Sequence, residues 1–394
     1  MKRRKRVPIL ETSIMKFKLL VSSLVFCAAM PFASSHAADD TIKVGAIFPL
    51  SGGSSPQGQT LLQGVQAMAD LINEDGGVLG KKIVIIERDD EATPAVGVSR
   101  ANDLIAEDVA AIVEGWISSV TLAMQPVISR ANITDITASS TADKILSGEG
   151  NPAPVRINSS IGQNGRFMSD FITDKQYRKV AYVSENDVYG KDTRDAVKKK
   201  LEEAGYDYEV VADELFPFSE SDFRVMLTKI KAANPDLTVI INANGGVGLP
   251  AFLRQAKSVR LPGDILAAVG TLLPVVVQTT GPAADGVYSH DIYFPDVEPL
   301  ASLPMNQRFV AKVKERFDTL PDKNTANGGQ ALLVWAKAAN ETKSLDKDTI
   351  TQHIRGGAFK DTVYGDVQFE DNGQMQSKGY MFQVEDGKFA FPKD

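Results

Sequence analysis

Six apolar runs, each about as long as one strand, recur along this chain: Ile42 to Phe48, Ile83 to Ile86, Ala110 to Val113, Val180 to Val183, Leu237 to Ile241 and Ile265 to Val269. Apolar on consecutive positions rather than alternate ones, they read as strands buried on both faces. Helix-spaced segments lie between them: Leu61, Val65, Met68 and Ile72; then Val197, Leu201 and Ala204; then Phe223, Met226, Leu227 and Ile230. Strand alternating with helix predicts parallel sheets with right-handed crossovers, an α/β class. The punctuation agrees, since Gly76-Gly77, Gly205 and Asn234-Pro235 each stand where a helix has to stop.

With 394 residues, 43% of them hydrophobic, the chain is long enough for two domains, each with its own core. No tandem repeat or low-complexity stretch interrupts it. The last hundred residues change character. Helical stretches run from Leu300 to about Thr319 and from Asn327 to about Lys343, followed by a hairpin-like pair, Asp361 to Glu370 and Tyr380 to Phe389, with Asp371-Asn372-Gly373 as turn. Lys198-Lys199-Lys200, followed by Glu202 and Glu203, reads as the solvated face of a helix.

The start of the chain is a separate matter. Lys16 and Lys18 precede the apolar run Leu19 to Met30, and small residues follow to Ala37, with Asp39 and Asp40 beyond. This pattern predicts a secretory signal peptide over residues 1 to 37, cleaved after Ala37. The run is about twelve residues, short of the roughly 20 that span a bilayer. Met15 opens a complete signal of its own, and Cys27 follows Phe26 where a lipidated cysteine needs a small residue before it. Removing the seven bases and one acid of residues 1 to 37 from the chain's 43 and 50 leaves 36 basic and 49 acidic groups, a net of −13. So acidic a chain has no electrostatic footprint for nucleic acid. The mature chain carries no cysteine, so an exported protein of this kind, expected in a periplasm, draws its stability from its cores and not from disulfides.

Catalytic and metal motifs are weak. His290 and His353 are the histidines left after processing, too few for a zinc cluster, and no Gly-x-Ser-x-Gly turn stands near a strand end. Gly76 to Lys81 follows a helix and leads into a strand, the reverse of a phosphate loop, and Tyr189-Gly190-Lys191-Asp192 lacks a phosphate loop's upstream Gly and its Ser or Thr. Gly245-Gly246-Val247-Gly248 does lie between strand and helix, but Val269-Gly270 stands where a dinucleotide site wants an acid. No cofactor is expected.

Ligands of open α/β sheets sit beyond the carboxyl ends of the strands. Two such ends are rich in hydroxyls: Gly115-Trp116-Ile117-Ser118-Ser119-Val120-Thr121, and Ala138-Ser139-Ser140-Thr141-Ala142. Each is expected to place a Ser or Thr at a helix N-cap, so that hydroxyl, backbone N–H and helix dipole meet one carboxylate. The alternative is that these hydroxyls only cap their own helices.

The run Ile42-Lys43-Val44-Gly45, then Pro49-Leu50-Ser51-Gly52, Asn73 to Ile83, Asp89-Asp90, the Ser118-Ser119 turn, Tyr189-Gly190 and Phe252 to Ala256 resembles the Leu/Ile/Val-binding protein family, periplasmic receptors of ABC transporters. The resemblance extends from about Thr41 to Phe389 and implies the type 1 periplasmic binding fold: two doubly wound α/β lobes, joined by a three-segment hinge, without enzymatic activity. It implies an N-terminal lobe of residues 38–159 and 290–362 and a C-terminal lobe of 160–289 and 363–394. It also implies a small-molecule ligand, ABC permease subunits of the inner membrane as partners, and no nucleic acid. A receptor that opens and closes works most simply as a monomer.

By the same resemblance the ligand carboxylate is held by Ser118 or Ser119 with Ser139 and Thr141, Tyr189 answers from the second lobe, and Gln57 takes the place of an aromatic residue over the ligand. Two departures stand out. The family's carboxylate for the ligand ammonium falls on Val269, and its second-lobe tyrosine is missing at Gly245-Gly246. A buried ammonium needs an anionic partner. Either Asp187 or Glu185 supplies it and the ligand is an amino acid, or the ligand is an amine-free acid or an amide. A sensory receptor built on the same fold is a further alternative.

Overall fold

The computed structural model describes residues 41–147 and 154–391. The expected signal peptide and its cleavage point lie outside the described residues.

A first sheet is built from β1 (Thr41–Phe48), β2 (Lys82–Asp89), β3 (Ala111–Glu114), β4 (Thr134–Thr137) and β5 (Val155–Arg156), in the order β2-β1-β3-β4-β5 and parallel throughout. The central strands β1 and β3 are buried along most of their length, as their largely apolar sequences require, with Lys43 of β1 only partly buried. At the edge, β2 leaves Val84 42% exposed, so the run Ile83 to Ile86 is buried on one face and not on both. The helices α1 (Ser55–Glu74), α2 (Pro94–Ala106) and α3 (Ser118–Arg130) cross over between the strands. Gly45 is needed where α2 lies close on β1, because a Cβ there would stand 2.5 Å from Leu104 Cδ1.

After β5 the chain enters a second layer with α4 (Ile161–Asp174), β6 (Lys179–Glu185), α5 (Val188–Glu203), β7 (Glu209–Phe216), α6 (Arg224–Ala233), β8 (Leu237–Ile241), α7 (Gly248–Val259), β9 (Asp264–Ala267), α8 (Pro274–Thr280) and β10 (Tyr288–Asp291). These strands order as β10-β9-β8-β6-β7, all parallel. The edge strand β7 is half exposed, and Asp213 and Glu214 split its apolar residues into two short groups, which is why no long apolar run announces it. On α5, Lys198 pairs with Asp213 and Lys200 with Glu203, so the lysine run is indeed a solvated face.

The chain then returns to the first layer. Helix α9 (Pro304–Phe317), α10 (Lys323–Thr342) and α11 (Lys347–Ile354) follow, and α1 packs on α10 backbone to backbone. A Cβ at Gly64 would meet Thr325 O at 1.8 Å, and one at Gly328 would meet Leu61 O at 2.2 Å. That close seating buries 16 of the 20 residues of α10.

The expected hairpin between Asp361–Glu370 and Tyr380–Phe389 does not form. Instead β11 (Ala358–Thr362) turns through Val363-Tyr364 onto β12 (Gly365–Gln368), while β13 (Tyr380–Glu385) pairs antiparallel with β10 and, through the Asp386-Gly387 turn, with β14 (Lys388–Ala390). Both Asp386 (φ 49°) and Gly387 (φ 72°) are left-handed, the chemistry of a two-residue hairpin turn. The layer changes also fall at other residues than the resemblance implied. β10 belongs to the second sheet through Asp291, and β11 packs on α9 and α10 with β12 paired to it, so the chain stays beside the first sheet well past 362.

Candidate functional site

The carboxyl ends of the two sheets face each other across a small cavity of about 20 Å³. Trp116, Ile117, Ser139, Thr141 and Asn158 line it from the first lobe, Asp187, Tyr189, Ala243, Val269, Gly270 and Thr271 from the second, and Lys323 from the start of α10. Three helix N-termini meet there: Ile117 is the N-cap of α3, Asp187 that of α5, and Lys323 the first residue of α10. Each brings unpaired backbone N–H groups and the positive end of its dipole, a setting that favours an anion.

The hydroxyl loops are arranged differently from the expectation. No Ser or Thr caps α3, and the second loop leads into a four-residue 3-10 turn, Asp143–Leu146, with Ala142 at its N-cap. The Ser118 hydroxyl oxygen accepts from the N–H groups of Thr141 (3.4 Å) and Ala142 (3.3 Å), tying one loop to the other behind the cavity. Ser119 is half-buried and outside the lining. Ser139 lines the cavity, but its hydroxyl donates to Asn324 Oδ1 (3.2 Å) and accepts from Asn327 Nδ2 (3.0 Å). Thr141 is different, because its buried Oγ1 has no partner. Trp116 Nε1, also in the lining, is equally unpaired.

Beneath the loops lies a buried acid that the sequence reading missed. Glu114, at the end of β3, accepts from Thr121 Oγ1 (2.6 Å) and Thr137 Oγ1 (2.5 Å), and Thr121 Oγ1 in turn pairs with Ser140 Oγ (2.8 Å). One carboxyl thus holds α3, β4 and the second loop in register. Burial pushes its pKa up to about 7, against the two hydroxyl bonds, with repulsion from Asp90 adding to the rise. Only the position of Glu114 at a strand end marks it in the sequence.

In the second lobe, Asp187 caps α5 through Gly190 N–H (2.8 Å), and burial raises its pKa. Glu185 is buried behind it, one oxygen accepting from Ala243 N–H (2.8 Å) and the other unpaired, its pKa raised well above the usual range by burial and by Asp187. Tyr189 stands in the wall at 8% exposure. Gln57 does not line the cavity. It is fully buried in the first turn of α1 against the Gly245 backbone, with both amide atoms unpaired, and a Cβ at Gly245 would lie 1.7 Å from its Nε2. Gly245 is therefore small because Gln57 fills the space a larger residue would need. Beside it, Gly246 N–H donates to Gly53 O (2.9 Å), a direct bond between the lobes.

Lys323 is the functional residue least visible in the sequence. It is 3% exposed, and its Nζ stands 5.6 Å from the centre of the Trp116 ring. Burial lowers its pKa, opposed by Asp291 and Asp322. A signal did exist: Asp322 begins a capping box with Thr325, which fixes Lys323 at the first position of α10.

Comparison with known proteins agrees with this architecture. A family model described as periplasmic binding protein matches residues 41–388. The chain is 26% identical over 382 residues to Leu/Ile/Val-binding protein homolog 3 of Brucella melitensis, covering 95% of this chain and 99% of that protein. It is 27% identical over 384 residues to Leu/Ile/Val-binding protein homolog 1 of the same organism, with the same coverage. Among solved structures, the branched-chain amino acid transporter substrate binding protein LivJ of Streptococcus pneumoniae, in complex with isoleucine, superposes with a TM-score of 0.80 at 23% identity, over 89% of this chain and 97% of that one. A solute binding protein of an ABC transporter from Rhodopseudomonas palustris, in complex with 3,4-dihydroxybenzoic acid, superposes with a TM-score of 0.78 at 24% identity, over 89% and 95%. The fold is that of the type 1 periplasmic binding proteins, and the chain belongs to the periplasmic binding protein family.

Proposed function

We propose that this protein is the periplasmic receptor of an ABC importer and captures a branched-chain or related amino acid between its lobes. The observation that carries the reading is one cavity walled by Ser139 and Thr141 of the first lobe and by Asp187 and Tyr189 of the second. A ligand favours closure only by the contacts it makes in the closed form and not in the open one, so a site divided between lobes is what a clamshell needs. Thr141, Trp116 and the N-terminus of α3 meet the carboxylate, Asp187 meets the ammonium, and Trp116, Ile117, Ala243 and Val269 supply the apolar wall. At about 20 Å³ the cavity has room for about one water, so an amino acid enters when the lobes part, and the side chains of the wall shift to hold it as they close. The closed receptor then docks on permease subunits as a monomer, without chemistry on its ligand. The relatives named for leucine, isoleucine and valine support the ligand class.

A second reading, an amine-free acid, is favoured by one observation. Val269 stands in the wall where the resemblance called for the ammonium-binding acid, and a structural neighbour holds a dihydroxybenzoic acid. A thermal-shift screen of the mature protein, refolded to strip ligand, separates the two. Ligand at a hundred times its Kd stabilises by about 2.7 kcal/mol, a shift of several degrees. Shifts with leucine, isoleucine or valine support the first reading, and shifts with 4-methylpentanoate or benzoate alone support the second.

A further inference from the structure

We infer that Lys323 is the specificity-determining cation of the cleft: its ammonium pairs with the ligand carboxylate, so that the receptor selects acids over the corresponding amides and esters. This rests on the reading of the cavity as a carboxylate site and names the group that decides it.

The position of Lys323 is costly in the ligand-free protein. Its side chain is 3% exposed and lines both the small cavity and the larger cleft beside Asp291 and Asp322, and among the described residues its ammonium makes no hydrogen bond or ion pair. The two acids nearest in charge are committed elsewhere: Asp322 caps α10 through Thr325 N–H (2.8 Å) and Oγ1 (2.9 Å), and Asp291 accepts from Ile292 N–H (2.8 Å). Standing first in α10, Lys323 also faces the positive end of that helix dipole, where a cation is disfavoured. The Trp116 ring, 5.6 Å from Nζ, offers only partial compensation. An ammonium held against partial desolvation and against its own helix dipole is stabilised when an anion completes its surroundings.

The neighbours of Lys323 identify that anion's place. The cavity wall holds Trp116 Nε1 and Thr141 Oγ1, both buried and unpartnered, so the unmet groups beside Lys323 are a ring N–H and a hydroxyl, each able to donate. A carboxylate accepts from all three, and a neutral carboxamide cannot meet the ammonium charge. Gly270, whose Cβ would lie 2.4 Å from Nζ, leaves the space that the lysine occupies.

The test uses the refolded mature protein with four probes in titration calorimetry: L-leucine, 4-methylpentanoate, benzoate and L-leucinamide. Wild type is expected to bind at least one acid and to bind leucinamide at least about 30-fold more weakly than leucine. Lys323→Met is expected to weaken the bound acid by about 30-fold or more, and Lys323→Arg by less. Melting curves without ligand add a second readout: loss of an unpaired buried charge raises the Tm of Lys323→Met, whereas a lysine serving only the fold would lower it. If 4-methylpentanoate binds through Lys323 and leucine does not, the amino-acid reading falls and the lysine assignment stands. If leucinamide binds as tightly as leucine and Lys323→Met changes nothing, the lysine assignment falls and the amino-acid reading stands. Binding of none of the acids overturns both.

Discussion

Gly246→Ala tests closure where the lobes touch. A Cβ at this position would stand 2.5 Å from Gly53 O, and the Gly246 N–H bond to that same oxygen is 2.9 Å long. Ordinary contact begins near 3.4 Å, so the two backbones must part by about 1 Å and the bond between them is lost. The lost bond is worth about 0.5–1.5 kcal/mol net and the crowding about 1–3, together about 1.5–4.5 kcal/mol taken from the closed state. Because closure is coupled to binding, this appears as a drop in affinity of about 10-fold to about 2,000-fold. The nearest neighbours of the added methyl are Gly53 and Pro56 and no core side chain, so the melting temperature without ligand is expected to stay within a degree or two. Titration calorimetry with L-leucine measures the affinity, and Gly162→Ala, whose Cβ would come no closer than 3.4 Å to its nearest neighbour, Asp143 Oδ2, serves as control. Wild-type affinity in Gly246→Ala would refute the claim that these lobes close on one another to bind.

Two further outcomes follow from the site. Thr141→Ala removes the unpaired hydroxyl of the cavity and is expected to weaken binding by about 1–3 kcal/mol, whereas Ser119→Ala, outside the lining, is expected to be near neutral; calorimetry on both checks the difference. Glu114 has a folded pKa near 7 against 4.5 for the free group, so the folded state binds the proton more tightly. Its contribution therefore falls as pH rises from about 4.5 to 7, by about 3 kcal/mol at most. Asp90, also near 7 through burial, acts in the same direction, and His290, lowered to about 4 by burial, acts in the opposite one. Denaturant unfolding at pH 5 and pH 7.5 should show a smaller loss for Glu114→Gln than for wild type; equal losses would contradict the assignment.

The alternation of strand and helix was legible because buried parallel strands need mostly apolar runs, and β1, β3, β6, β8 and β9 have them, broken only by Lys43 in β1 and Thr238 in β8. In the edge strand β7 the apolar residues are split by Asp213 and Glu214, so no long run marks it. The end of the chain misled for a local reason: Asp371-Asn372-Gly373 has turn chemistry, but the tighter turns at Val363-Tyr364 and Asp386-Gly387 take the strands to other partners. At the site, Ser139 and Thr141, from a loop after a strand end, and Asp187 and Tyr189, which the family resemblance implied, line one cavity. Gln57 and Ser119 do not reach it, since burial against Gly245 and the outward turn of α3 are tertiary facts. Lys323 lies far from these loops in sequence, and only the packing of α10 on α1 brings it there.

The central claim is that one small molecule is gripped by both lobes, and small-angle scattering with and without ligand tests it most directly. The refolded mature protein is measured alone and then with the acid that binds it, L-leucine first. The account predicts a smaller radius of gyration on binding, abolished in Gly246→Ala at the same ligand concentration. An unchanged profile while calorimetry reports saturated binding would contradict it, because the ligand would then be held by one lobe alone.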